Sequence, residues 1–69
     1  MSGSVYKIIE LVGTSTASWE EAAALAISKA ASSLRDLRVA EVSKLDMTVQ
    51  DGKVVSYRAR VLVSFKYEA

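Results

Sequence analysis

Apolar and polar residues alternate over much of this chain, and the period of that alternation changes from one segment to the next. Val5 to Val12 carries apolar residues on both faces of an extended chain, which is typical of a strand that is covered on two sides. Gly13 to Thr16 then interrupts the pattern with turn-forming residues. The sequence therefore predicts a first strand that ends at Val12 and is followed by a turn.

A helix is predicted next, from Trp19 to Leu34. Ser18 and Glu21 have the spacing of a capping box, in which Ser18 accepts from the backbone N–H of Glu21 and the glutamate side chain reaches back to Ser18. Apolar residues then recur at helical spacing: Trp19, Ala22, Ala23, Ala26, Ile27, Ala30 and Leu34. So many alanines favour a helix that lies close to a sheet, although alanine is also the best helix former.

Two long β-rich segments, Val39 to Gln50 and Lys53 to Tyr67, flank the pair Asp51-Gly52. This pair favours a two-residue type I′ turn, because both central residues of that turn need positive φ. An unbroken register from the turn puts one set of residues on the face that we assign to the helix: Ala40, Val42, Val55, Tyr57, Ala59, Val61, Val63, Phe65 and Tyr67. A β-bulge would reverse these faces beyond it.

The other face of the predicted hairpin mixes apolar and charged residues. Its members are Val39, Glu41, Ser43, Leu45, Met47 and Val49, opposite Ser64, Leu62, Arg60, Arg58, Ser56 and Val54. In this register Arg58 faces Leu45, and Glu41 lies diagonal to Arg60. Two interpretations stay open: ion pairs on a solvated surface, or a partly apolar pocket in which the two arginines bind an anionic group.

The predicted strands are much longer than the predicted helix. A strand of about fourteen residues runs about 46 Å, whereas a helix from Trp19 to Leu34 spans about 24 Å. Of the 69 residues, 51% are hydrophobic, and there is no cysteine to form disulfides. We therefore expect one small domain, residues 1–69, whose uncovered hairpin is buried by other copies or another chain.

Charge and residue types argue against several classes of function. Nine Lys and Arg against eight Asp and Glu give a net charge of +1, without the excess expected of a nucleic-acid-binding protein. No apolar run of about eighteen residues and no export signal are present, so we expect a cytoplasmic protein without membrane contact. Histidine and cysteine are absent, which argues against an enzyme.

The order of strand, helix and long hairpin is accompanied by segments that resemble the dodecin family. They are Val5 to Ser15, Arg38 to Val42, Asp51 to Lys53, Tyr57-Arg58 and Val61 to Lys66. The resemblance implies an α+β fold of β-α-β-β order, with a three-stranded antiparallel sheet wrapped around one helix. It also implies a hollow homododecameric shell that binds flavins between subunits and stores them without catalysis.

Two positions differ from those of flavin-binding dodecins. Val39 stands where those proteins have a tryptophan that stacks on the flavin ring, and Arg58 stands where they have a glutamine that hydrogen-bonds it. Losing the indole removes about 0.5–1.5 kcal/mol per aromatic contact, which argues against tight flavin binding. Four segments are instead similar to the calcium dodecin subgroup and imply calcium as a ligand: Arg38-Val39-Ala40, Asp46-Met47, Tyr57-Arg58 and Ser64-Phe65-Lys66.

The resemblance places the ligand pocket at Val39, Glu41, Arg58 and Arg60. One carboxylate repeated around a three-fold axis would supply three calcium ligands, and the candidates are Glu10, Glu20, Glu21, Glu41 and Asp46. The expected function is sequestration of a small ligand or cation between copies. Two alternatives stay open: a flavin dodecin in which Arg58 holds a phosphate, and a structural shell without a physiological ligand.

Overall fold

The computed structural model describes residues 3–67 and contains three strands and one helix. In chain order they are β1 (Tyr6–Ser15), α1 (Trp19–Ala31), β2 (Leu37–Gln50) and β3 (Lys53–Lys66). The strands form one antiparallel sheet in the order β1-β3-β2, so the last strand of the chain lies in the centre. The predicted α+β fold of β-α-β-β order is confirmed.

The first strand continues through three residues that the sequence assigned to a turn. Gly13, Thr14 and Ser15 pair with Ala59, Arg58 and Tyr57 of β3, so the predicted end at Val12 is wrong. Gly13 allows close packing there, because a Cβ atom at this position would collide with the carbonyl oxygen of Ala22. The helix therefore lies directly against the strand, as its alanines predict.

The core consists of small residues from the helix and the central strand. Its buried members are Ala22, Ala26, Ala30, Ala59, Val61 and Val63. Ile9, Leu11, Ala23, Ile27, Leu34 and Leu37 pack around them. These positions confirm the predicted helix stripe and the helix-facing side of β3.

Both ends of the helix differ from the prediction: the first turn in its hydrogen bonds, and the last turn in the residue at which the helix ends. Ser18 Oγ accepts from the backbone N–H of Glu21 at 3.0 Å, as predicted, but the Glu21 carboxylate accepts from Ser15 Oγ at 2.7 Å instead of reaching back to Ser18. The last turn tightens, because the backbone N–H groups of Ser33 and Leu34 both donate to the carbonyl of Ala30. The helix consequently ends at Ala31 and not at Leu34.

The hairpin turn has the predicted residues and backbone conformation. Asp51 and Gly52 have φ of 54° and 75°, as a type I′ turn requires. The first two pairs of the ladder follow the predicted register: Gln50 with Lys53 and Val49 with Val54.

Beyond these pairs, two bulges change the register and then restore it. Val55 is an extra residue in β3, and Ser43 is an extra residue in β2. Between the bulges, the segment 44–48 is shifted by one residue relative to the prediction. After Ser43 the predicted pairing returns from Val42 to Val39, with Val42 opposite Val61. Arg38 is a third extra residue, so that Leu37 lies opposite Phe65.

The shifted segment corrects the predicted faces of the hairpin. Arg58 lies opposite Asp46 and not Leu45, while Leu45 and Met47 pair with the helix-facing residues Ala59 and Tyr57. Since neighbouring side chains on a strand point to opposite faces, Leu45 and Met47 belong to the helix side. Their predicted place on the other face is wrong.

The hairpin extends beyond both the helix and β1. The protein measures 56 × 20 × 16 Å, whereas the 13 residues of α1 run about 20 Å. Pairing between β1 and β3 stops at Tyr57, so residues 48–56, which we call the arm, form a ribbon of only two strands. The predicted difference in length between strands and helix is confirmed.

Candidate ligand-binding face

The side of the sheet that faces away from α1, which we call the far face, is arranged in rows across the three strands. Four rows follow from the pairing, each listed in the order β1, β3, β2: Ile8, Ser64, Val39; then Glu10, Leu62, Glu41; then Val12, Arg60, Lys44; and then Thr14, Arg58, Asp46. All four residues of the predicted ligand pocket lie on this face. They occupy four different rows, and Val39 and Arg58 are about 20 Å apart at roughly 3.3 Å per residue.

Asp46 and Arg58 form a bidentate ion pair in the fourth row. Arg58 Nε donates to Asp46 Oδ1 at 2.7 Å, and Arg58 Nη2 donates to Oδ2 at 3.1 Å. These hydrogen bonds, together with the charges of Arg58 and Arg60, lower the pKa of Asp46 against a weaker opposing effect of desolvation. The same hydrogen bond raises the pKa of Arg58. The sequence-based register missed this pair, because the extra residue Val55 shifts the pairing by one position between the turn and Arg58.

The backbone of Asp46 is also tied to the start of the helix. Trp19 Nε1 donates to the carbonyl oxygen of Asp46 at 2.9 Å. The indole ring meets Tyr57 edge-on, with ring centroids 5.0 Å apart and planes at 70°. Trp19 thus anchors α1 to both strands of the hairpin and fixes the segment that carries Asp46.

Glu10 and Glu41 lie on either side of Leu62 in the second row. Glu10 is 4.0 Å from Arg60, whereas the predicted diagonal pair between Glu41 and Arg60 is not among the ion pairs of residues 3–67. Since neighbouring strands are about 4.8 Å apart, the two glutamates are separated by roughly 10 Å of sheet. Glu41 is therefore an exposed carboxylate without an ion-pair partner among the described residues.

The remaining predicted carboxylates lie on the other side of the sheet, at the first turn of the helix. Glu21 is hydrogen-bonded to Ser15, and Glu20 is exposed beside Trp19. The five candidate ligands thus divide between the far face and the helix. Over residues 3–67, no three acidic side chains of one copy lie close enough together to hold a metal ion.

An apolar groove runs between the helix and β2 on the helix side of the sheet. Its cavity measures about 450 Å³ and its lining, which we call the β2 groove, consists of Trp19, Glu20, Ala23, Ala24, Ile27, Val42 and Leu45. Leu45 reaches this side only because Ser43 forms a bulge. Sequence reasoning missed the groove for that reason. In the same described segment, no helix has the length and apolar character to cross a membrane.

Comparison with known proteins gives one consistent family. The family model described as Dodecin matches residues 5–68. Calcium dodecin of Mycobacterium tuberculosis is 49% identical over 63 residues, which cover 91% of this chain and 89% of that protein. Dodecin of Thermus thermophilus is 38% identical over 66 residues, which cover 96% of each protein.

Solved structures agree with the sequence comparison. The structure of dodecin from Streptomyces coelicolor matches with a TM-score of 0.91 at 30% identity, covering 100% of this chain and 99% of that one. The crystal structure of the calcium-chelating calcium dodecin from Mycobacterium tuberculosis matches with a TM-score of 0.83 at 50% identity, covering 94% and 93%. The chain belongs to the dodecin family, as its sequence segments predict.

Proposed function

We propose that this protein assembles into a homododecameric shell that sequesters calcium at contacts between copies, without catalysis. The observation that carries this proposal is the row in which Glu10 and Glu41 flank Leu62. It presents exposed carboxylates on the far face, yet one copy does not complete a ligand set within its described residues. Calcium takes roughly six to eight oxygen ligands, so this row supplies part of a site and leaves positions that neighbouring copies and water can fill.

Exposed surface supports the assembly. The accessible surface of the chain is 5217 Å². A folded monomer of 7.5 kDa is expected to expose only about 4,250 Å². The excess of roughly 1,000 Å² is close to the ~800 Å² that each partner contributes to a standard protein interface. A single copy of this chain therefore exposes more surface than a typical monomer, by about the area that one partner buries in a standard interface.

Among the candidate carboxylates of the far face, Glu41 is the one that the geometry favours as a ligand. Asp46 already has both oxygens engaged by Arg58, and Glu21 accepts from Ser15. Glu10 lies within ion-pair distance of Arg60. Glu41 is exposed on the far face and lies in the same row as Glu10, on the other side of Leu62, so its oxygens are available to a cation shared with a neighbouring copy.

The relatives support calcium over flavin as the ligand. The relative with 49% identity is a calcium dodecin, and its crystal structure is described as having a novel calcium-binding site. In this chain Val39 is 64% exposed and offers no ring for stacking. Arg58 is held by Asp46, so its use for a flavin phosphate would require breaking two hydrogen bonds.

Light scattering combined with calcium calorimetry tests the proposal. We expect a mass of twelve copies, a heat of calcium binding, and a melting temperature that rises with calcium because the ion binds only the folded state. Glu41→Gln should abolish the heat at unchanged mass. Glu20→Gln, which removes a carboxylate at the helix start, is the matched control and should leave the heat unchanged.

Three results would contradict the proposal in different ways. A monomeric or dimeric mass would contradict the shell. An intact dodecamer without calcium heat at millimolar concentration would favour a structural shell without a ligand. Quenching of riboflavin or FMN fluorescence at micromolar concentration would favour the flavin alternative.

A further inference from the structure

We propose that Asp51-Gly52, at the tip of the hairpin, is a site of spontaneous covalent modification at which Asp51 isomerises to isoaspartate. The inference concerns a single chain and does not depend on the proposed assembly or on calcium. The product has the same mass as the original protein, but its backbone runs through the side chain of the former Asp51.

Gly52 supplies an accessible nucleophile, its backbone nitrogen. The residue is exposed, and nothing lies within 4 Å of a Cβ position there, so no neighbouring group crowds it. Its N–H group makes none of the turn or cap hydrogen bonds formed by the backbone of residues 3–67. Glycine also lacks the side chain that hinders attack by the nitrogen of other residues.

The carboxyl group of Asp51 is the electrophile, and it differs from the other aspartate carboxyl groups of the chain. None of the ion pairs that residues 3–67 form includes Asp51. Asp36 lies 3.8 Å from Arg38, and Asp46 accepts two hydrogen bonds from Arg58. Asp51 is therefore the aspartate whose carboxyl group is not held by an arginine.

The residues that follow the aspartates favour the same position. Leu37 follows Asp36 and Met47 follows Asp46, so in both cases a side chain stands beside the attacking nitrogen. The chain contains no asparagine, which would undergo the same ring closure with loss of ammonia. A reactive carboxyl group and a following glycine thus coincide at Asp51.

Ring closure joins the two groups. The Gly52 nitrogen bonds to Cγ of Asp51 while a Cγ–O bond breaks, and the N–H proton and one proton from solvent leave with that oxygen as water. Water then adds to the former main-chain carbonyl carbon of Asp51, and the bond from that carbon to Gly52 breaks. A new α-carboxylate forms and releases one proton to solvent. The chain then has one more backbone atom in a two-residue loop, which a type I′ turn does not accommodate.

The turn must open before the ring can close. Asp51 has φ of 54° in the type I′ turn, and the planar ring requires a different rotation about its Cα–C bond. Such opening is favoured, since the arm has only two strands and neither the helix nor β1 supports it. The hydroxyl groups of Thr48 and Ser56 share a hydrogen bond of 2.5 Å at the base of the arm and oppose its opening.

Peptide mapping after several weeks at physiological temperature and pH tests the site. Trypsin releases residues 45–53 as one peptide that contains both Asp46 and Asp51, and electron-transfer fragmentation distinguishes isoaspartate from aspartate at each. We expect isoaspartate at Asp51 and none at Asp46 or Asp36. Asp51→Gly is the matched control, because glycine adopts positive φ but has no carboxyl group, and it should give no isoaspartate.

Two serine variants test the role of turn opening. Ser56→Ala removes the hydroxyl pair at the base of the arm and should raise the rate of isomerisation about twofold to fivefold. Ser64→Ala is the matched control, since it removes a hydroxyl that donates to the Val39 carbonyl on the same strand far from the tip. Its rate should equal that of the wild type. Wild-type protein in urea gives the rate of the open chain, and we expect the folded protein to be slower by about tenfold or less.

The outcomes separate this inference from the proposed function. Similar amounts of isoaspartate at Asp36, Asp46 and Asp51, or a signal that persists in Asp51→Gly, would overturn the site. A folded protein that forms none while the chain in urea does would show that the turn protects Asp51, and would also overturn the proposal. Equal rates in Ser56→Ala and wild type would overturn the role of turn opening. A monomeric wild-type protein, or one without calcium heat, would contradict the proposed function and leave this inference standing.

Discussion

Two halves of β3 have similar sequences and different surroundings. In the half under the helix, Ala59, Val61 and Val63 are buried against the alanines of α1. In the half that belongs to the arm, Val54 and Val55 remain nearly half exposed. Both halves are rich in valine, so the difference lies in the presence of a second layer and not in the strand itself. Alternation of apolar residues thus identifies a strand but does not show what covers it.

The largest loss of stability is expected at the closest contact between the helix and the sheet, in the covered half of the molecule. Gly13→Val would place side-chain atoms against the backbone of Ala22, and the helix would have to move away from the sheet. We expect a loss of about 3 kcal/mol or more in the free energy of unfolding. Urea unfolding at fixed protein concentration measures it.

Gly3→Val is the matched control for that substitution. Nothing lies within 4 Å of a Cβ atom at Gly3, so we expect a change within about 0.5 kcal/mol. Equal losses for the two variants would show that the close contact of helix and strand is not what stabilises the covered half.

A second comparison uses one valine from each half. Val61→Ala removes a fully buried side chain and should cost about 2 kcal/mol at any protein concentration. Val49→Ala removes an arm side chain and should cost less than about 0.5 kcal/mol in dilute protein. If the arm is covered in the assembly, the cost of Val49→Ala rises with protein concentration, whereas no rise would mean that the arm stays exposed.

The junction between the halves gives an intermediate effect. Trp19→Phe keeps a ring next to Tyr57 but loses the hydrogen bond from Trp19 Nε1 to the carbonyl of Asp46. We expect a loss of about 1 kcal/mol, measured by thermal unfolding. An unchanged melting temperature would mean that the hydrogen bond does not hold the hairpin to the helix.

The smallest effect concerns the exposed ion pair of the far face. The folded pKa of Asp46 is lower than its unfolded pKa of about 3.9, so the pair stabilises the protein above that pH. Its contribution is lost as pH falls through the folded pKa. Asp46→Asn should therefore lower stability slightly at pH 7 and make the acid side of the stability curve flatter. A curve parallel to that of the wild type down to pH 2 would contradict this assignment.

Much of the fold could be predicted because local signals agree with it. The Asp51-Gly52 turn, the cap at Ser18 and the alanine stripe each have a local physical cause, and all three are present. The predicted end of β1 at Val12 was wrong, because the glycine and serine that follow are typical turn residues. In this chain Gly13 admits the helix backbone, and Ser15 binds Glu21.

The candidate site was harder to predict, because its pairs depend on register. The alternation of apolar and polar residues does not indicate where a strand contains an extra residue. The bulges at Ser43 and Val55 could therefore not be predicted from the sequence. Because of this error, the predicted partner of Arg58 was Leu45 and not Asp46. The ion pair between Arg58 and Asp46 on the far face was therefore missed. The four residues predicted to form a pocket nevertheless share the far face, since the bulges at Val55 and Ser43 offset each other.

This offset has a consequence for how the hairpin can change in evolution. A single insertion or deletion between residues 43 and 55 would turn charged side chains toward the helix groove over the rest of the strand. Two such changes, one in each strand, would restore the pattern. We therefore expect relatives of this protein to differ in hairpin length by compensated pairs of changes, and a family alignment that opens only one gap in this region to be misaligned there.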